Sequence, residues 1–154
     1  RSYTKTDLEA NFLTEQHTVF TSEMDEKPGC ECRCVDLYFA AGLLVFREFL
    51  RSEYSEENLL FYLDCEAFRD LSSESDREAA AKRIYREFVM LLSPPQINID
   101  CVTRAEVLAN LTDPGPDCFN KAQRTVLSLM ENDSYPRFVK SQLYQVLLAP
   151  MKGL

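Results

Sequence analysis

The stretch from Glu53 to Phe68 constrains this chain more than any other. It runs Glu53-Tyr54-Ser55-Glu56-Glu57-Asn58 and then turns apolar at Leu59-Leu60-Phe61-Tyr62-Leu63. Ser55 has the chemistry of an N-cap, because its hydroxyl can accept from an orphan amide of the first turn. Glu56 and Glu57 would sit where the helix dipole favours negative charge. Beyond them the apolar residues, with Phe68, cover more than one helical face. A helix that is apolar most of the way round must be enclosed by other elements. The core is therefore expected to form about a helix over about 55–70, with its polar start left at the surface.

The flanking segments supply the enclosing elements. Phe39, Leu43, Phe46, Phe49 and Leu50 are spaced for one helical face, and Gly42 is expected to separate a short lead-in from a helix over about Leu43–Ser52. Leu71–Asp76 reads as a Ser-rich loop ending in a cap. Arg77–Leu92 reads as a helix with the stripe Ala80, Ile84, Phe88 and Leu91, stopped by Pro94-Pro95. Ile97-Asn98-Ile99-Asp100 alternates, but no second strand is available to pair with it. It reads as a loop pinned by its isoleucines, with Asn98 and Asp100 facing outward. Thr103 and Glu106 have capping-box spacing and are expected to start a short helix. Asp113-Pro114-Gly115-Pro116 is a turn. A helix over about Asp117–Glu131 follows, broken at Asp133-Ser134-Tyr135-Pro136. Arg137–Lys140 is a short helical turn, and Ser141 caps a last helix to about Leu148. Leu8, Phe12 and Val19 permit a further short helix near the start. The fold class is all-α.

Charge and residue usage exclude several functions. The net charge is −8, whereas nucleic-acid binding needs clustered Lys and Arg. No apolar run is long enough to cross a bilayer, and no signal peptide is visible. The single histidine, His17, lies between Gln16 and Thr18 and reads as solvated; it supports neither a zinc site nor a nucleophile–histidine pair. Four glycines form no phosphate-binding loop. Glu56 and Glu57 are neighbours and point apart on a helix, so they do not make an acid/base pair. No cofactor, metal or catalytic chemistry of its own is expected. A helical binding module remains.

Six cysteines are present, and nothing else points to secretion, so the expected compartment is reducing and cytoplasmic. Cys65 reads as a core residue. Cys30, Cys32 and Cys34 alternate, and three readings stand in order of preference: a flexible reduced segment, S-palmitoylation that tethers the chain to a membrane, and a metal site needing a distant fourth ligand.

Four blocks carry a resemblance. Phe46–Phe61, Ile97–Asp100 with Thr103-Arg104, Cys118–Gln123, and Leu129–Ser141 resemble, in order, the signature of regulator of G-protein signalling (RGS) domains over roughly Gly42 to Leu148. The resemblance implies a nine-helix, two-lobe fold. An antiparallel four-helix bundle would be formed by helices at about 55–70, 77–92, 103–110 and 117–131, and the first and last helices would pack as the second lobe. It implies a protein that binds the α subunit of a heterotrimeric G protein in its transition-state-like form and accelerates GTP hydrolysis, and a monomer is expected. The domain would contact the three switch segments and supply no catalytic arginine.

Position by position, the resemblance puts Asn98 first: its amide can donate and accept, and so bond the Gα glutamine and a switch backbone group together. The alternative is a loop asparagine satisfying its own backbone. Glu57 and Asn58 match the pair facing the switch segments, or else only stabilise a first turn. Tyr54 and Ser55 would line the same surface. Asp133 and Ser134 match the contact with a switch I threonine, and Arg137 the residue that orients that aspartate; the bland reading is a helix-end turn with a local ion pair. Leu129 would give an apolar edge contact or a core contact. Asp100 would stabilise the Asn98 loop or touch the partner.

Ser55, Asp133 and Lys140 resemble members acting on inhibitory-class (i/o) subunits. The chain also departs from the family. It has no tryptophan, and Tyr62 stands where members usually carry one. Cys101 replaces a usual serine, and the family's pattern before Gly42 is not recognisable in Cys30–Ala41. The expected organisation is a polar extension with the cysteine cluster over 1–34, the domain over 35–148 and a tail over 149–154. The alternative function is an interaction scaffold with the same fold and weak or no GTPase-activating activity.

Overall fold

The computed structural model describes residues 32–92 and 96–149, with side chains for residues 42–92, 96–146 and 149. Seven α-helices fill the described chain: α1 Cys32–Ser52, α2 Glu56–Arg69, α3 Glu74–Ile84, α4 Cys101–Asn110, α5 Asn120–Leu129, α6 Tyr135–Val139 and α7 Gln142–Leu148. Two five-residue π turns, Tyr85–Val89 and Met130–Ser134, extend α3 and α5. No strand occurs among the described residues. The architecture is all-α, and these residues do not establish the expected count of nine helices.

The enclosed helix is α2. Leu59, Phe61, Tyr62, Leu63, Cys65 and Phe68 are all buried, on more than one face. α2 packs against α3 and α5, while α4 packs against α5 and the first π turn, giving the expected four-helix bundle. α1 packs against α6 and α7 as a second lobe, and against α2 to join the two. Each lobe has its own aromatic cluster. In the bundle Phe61 meets Phe88 and Phe119 edge-on, and Phe119 meets Phe68. In the second lobe Phe138 gathers Phe46, Phe49, Tyr135 and Tyr144. Phenylalanine thus supplies the aromatic core of a chain without tryptophan. Tyr62 is buried, and burial pushes its hydroxyl up to about 12.

Several local expectations are corrected. Gly42 does not interrupt α1, which runs unbroken from Cys32. A helical glycine costs about 1 kcal/mol relative to alanine, and packing against α2, α6 and α7 outweighs it. Cys32 and Cys34 are consequently helical and not part of a loose segment; Cys30, the helix suspected near Leu8 and the Pro94-Pro95 stop lie outside the described residues. α3 starts at Glu74, three residues early, because Ser73 caps it by accepting from the Asp76 amide. It ends in the π turn at Val89, short of Leu92. α4 starts at Cys101, not Thr103: the Asp100 carboxylate accepts from the Thr103 amide at 2.8 Å and the Thr103 hydroxyl at 2.7 Å, so Thr103 lies buried one turn inside. α5 is not broken at Asp133–Pro136. The π turn carries it into α6, where Pro136 sits in the first turn and needs no amide donor. Ser55 does occupy the N-cap of α2, but its hydroxyl donates backward to the Leu50 carbonyl and caps nothing.

Candidate functional site

Three of the four blocks singled out in the sequence meet in one groove at the junction of the two lobes; Cys118–Gln123 takes no part in its lining. Ser55, Asn58, Asn98, Leu129, Asp133, Ser134 and Arg137 line one open groove of about 510 Å³, together with Glu53. Six segments contribute: the α1–α2 turn, the start of α2, the loop before α4, the end of α5, the second π turn and α6.

The α1–α2 turn is built as a helix-ending motif. The Ser55 amide donates to the Leu50 carbonyl at 2.9 Å and the Tyr54 amide to the Arg51 carbonyl at 3.2 Å. This pairing needs a left-handed residue between, the position that favours glycine. Tyr54 holds it with φ 57°, and its side chain is 95 % exposed. A bulky residue in that conformation is strained. It stands beside the groove, not in its lining.

The loop before α4 is pinned at several points. Ile97 and Ile99 are buried, as expected. The Ile97 amide donates to the Phe88 carbonyl at 2.9 Å, and Arg104 Nε donates to the Val89 carbonyl at 2.8 Å. Asp100 anchors the far side through its cap on α4. Between these fixed points Asn98 is exposed, and its side chain makes no hydrogen bond among the described residues. The self-satisfied loop asparagine is not what the structure shows. Asp100 does not line the groove; both its oxygens serve the cap, and these bonds hold its carboxyl below the usual range.

The end of α5 places Leu129 outward, and the second π turn places Asp133 outward and Ser134 inward. Ser134 is only 5 % exposed and forms the floor. Arg137 lies between two carboxylates. Its Nε and Nη2 donate to Glu53 at 2.9 and 2.8 Å, and its Nη1 donates to Asp133 Oδ1. The hydrogen bonds from Arg137 hold the Glu53 carboxyl below its ordinary 4.5. The same bonds, first from Glu53 and then from Asp133, push the guanidinium further up. Asp133 Oδ2 stays unpartnered among the described residues. Asn58 leaves its Oδ1 buried with no hydrogen-bond partner among them.

The sequence reading missed Glu53. Its partner is 84 positions away, and no local spacing connects them. Glu57 does not line the groove, and its side chain makes no hydrogen bond among the described residues. Glu56 is tied differently: burial alone would raise its carboxyl, but Arg47, bonded at 2.7 Å, and Arg51 outweigh burial and lower it. Among the described residues, Cys65 and Cys118 are buried free thiols and Cys101 an exposed one. No helix among them is long and apolar enough to cross a membrane.

The groove thus combines the open Asn98 amide and a carboxylate on rigid supports, an arrangement for binding. Known proteins show the same sequence pattern. The model of the regulator of G protein signaling domain matches residues 37–147. Human "Regulator of G-protein signaling 13" is 40 % identical over 112 residues, which cover 73 % of this chain and 70 % of that protein. Zebrafish (Danio rerio) "Regulator of G-protein signaling 8" is 45 % identical over 107 residues, covering 70 % and 62 %. Bovine (Bos taurus) "Regulator of G-protein signaling 5" is 44 % identical over 104 residues, covering 68 % and 58 %. The matched region thus spans about three fifths to seven tenths of each relative. With a family match over most of its length and relatives at this identity, the chain belongs to the regulator of G-protein signalling family.

Proposed function

We propose that this protein is a GTPase-activating protein for heterotrimeric G-protein α subunits, of the i/o class, and that the groove is its contact surface. The observation that carries the reading is Asn98: an exposed, unpartnered amide on a loop pinned at both ends, opening into one groove with Asn58, Asp133 and Ser134.

The mechanism follows from what Gα already holds. A Gα subunit supplies its arginine in cis, and a glutamine orients the attacking water. What limits it is the mobility of its switch segments. A surface that binds their transition-state arrangement more tightly than the GTP ground state lowers the barrier without chemistry of its own. Asn98 would accept from and donate to the Gα glutamine and a switch backbone group together. Asn58 would face the switch segments from the groove lining. Asp133 would accept a switch I hydroxyl through Oδ2 while Arg137 holds Oδ1. Tyr54, Ser55, Glu57 and Leu129 would form the rim. Asp100 would act by fixing the Asn98 loop. The domain is proposed to span 35–148, and Cys30, Cys32 and Cys34 to carry palmitate that holds the protein at a membrane; release from membranes by hydroxylamine tests the latter.

Single-turnover GTP hydrolysis by an inhibitory-class Gα, with and without the protein, tests the main reading. Acceleration is expected. Binding to Gα without acceleration would put a scaffold with the same fold in its place.

A further inference from the structure

We infer that Glu53 is a positioning residue for Gα engagement, acting through Arg137 to fix Asp133; the inference rests on the groove being the Gα contact surface. Arg137 and Asp133 are four residues apart on one helical path, and alone they would share a single hydrogen bond between two exposed side chains. Such pairs contribute little and are not held in one geometry. Glu53 changes this. It takes Nε and Nη2 in a two-point fork, which sets the plane of the guanidinium. With that plane fixed, Nη1 is aimed at Asp133 Oδ1, and Oδ2, on a residue that lines the groove, keeps no hydrogen bond among the described residues. Glu53 also sits beside Tyr54 in the helix-ending turn. The fork therefore joins the strained α1–α2 turn to α6, and Arg137 Nη1 carries the link on to Asp133 in the π turn. Two sides of the groove are held in register by one ion pair.

A purely structural role predicts something else. An exposed ion pair contributes about 0–1 kcal/mol to folding, so its loss should barely change stability. A large effect on Gα engagement with little effect on stability would have to come from geometry.

The test has two arms. In the free protein, nitrogen NMR of the Arg137 Nε–H is compared in wild type, Glu53→Gln and Asp133→Ala. The signal is expected to be slow to exchange in wild type and in Asp133→Ala, and fast in Glu53→Gln. An unchanged signal in Glu53→Gln overturns the inference whether or not the protein activates any Gα. In the second arm, the concentration giving half-maximal acceleration is measured. Glu53→Gln is expected to raise it about tenfold, within the range of coupled charge networks, while Glu53→Asp recovers part. In the Asp133→Ala background Glu53→Gln should add nothing further; an undiminished effect there shows that Glu53 does not act through Asp133. The exchanged pair Glu53→Arg with Arg137→Glu should restore the ion pair but not engagement, because Asp133 would then face a carboxylate. Full recovery by the exchange would make the pair a mere tether. Absence of acceleration by wild type would sink the proposed function but leave the NMR arm to decide the geometry.

Discussion

Two polar clusters in this protein are built from similar residues and left in opposite states. One is the groove at the junction of the lobes. The other is a seam between α2 and α5. In the seam Gln123 is 4 % exposed, yet its amide is fully used. Its Oε1 accepts from Arg69 at 2.5 Å, and its Nε2 donates to the Tyr62 carbonyl at 3.3 Å and to Glu66. Arg69 also reaches Glu66 at 3.1 Å and Asn120 at 3.0 Å. Every group there answers another, as a buried polar network must. In the groove the Asn98 amide and Asp133 Oδ2 answer nothing among the described residues. The backbone differs as well, since the groove is bordered by a left-handed Tyr54 and a π turn, features that recur at functional sites. Polar groups that close on each other hold the fold. Polar groups held open on rigid supports are available to a partner.

Substitutions should separate the two regions. Phe61→Ala removes a fully buried ring that touches both Phe88 and Phe119, and should cost about 3–5 kcal/mol in chemical denaturation. Gln123→Ala leaves the Tyr62 carbonyl without its Gln123 donor and one Arg69 bond unmade, and should cost about 1–3 kcal/mol. Its effect on Gα activation should be no larger than the lost stability explains. Tyr54→Gly should go the other way, stabilising the fold by about 1 kcal/mol as the left-handed strain is relieved, while weakening Gα binding. A loss of stability there would show that the conformational freedom glycine gives the unfolded chain outweighs the strain relieved.

The smallest expected effect is that of acid. The folded Glu53 carboxyl is held below its ordinary 4.5 and that of Asp100 below 3.8. For a depressed carboxyl the stabilisation is present above the ordinary value and is lost as pH falls through the lower, folded one. The difference in denaturation midpoint between wild type and Glu53→Gln should stay level at pH values above the ordinary 4.5 and close as pH falls below it. A difference that persists at pH 2 would mean that the pair does not titrate as described.

The all-α class, the enclosed α2 and the outward-facing Asn98 were legible because each follows from local periodicity or burial pattern. The alternation Ile97-Asn98-Ile99 was enough to say which residue is exposed. What was not legible depends on partners distant in sequence. Glu53 acquires its role from Arg137, and Gln123 from Glu66 and Arg69, although Gln123 stands in a block that carried the family resemblance. The helix ends were misjudged where side chains compete for a cap: Asp100 displaced Thr103, and Ser55 turned back to Leu50. Gly42 and the Asp133–Pro136 segment have the composition of breaks, but packing against other helices carries the chain through both.

The central claim is that the open groove, and Asn98 above all, acts on Gα without holding up the fold. It is tested most directly by measuring Asn98→Ala twice in the same sample, by chemical denaturation and by single-turnover GTP hydrolysis with an inhibitory-class Gα. Stability within about 0.5 kcal/mol of wild type, as for an exposed surface position, together with a large loss of acceleration, is the predicted result. Unfolding of the variant, or full acceleration from a folded one, would contradict it.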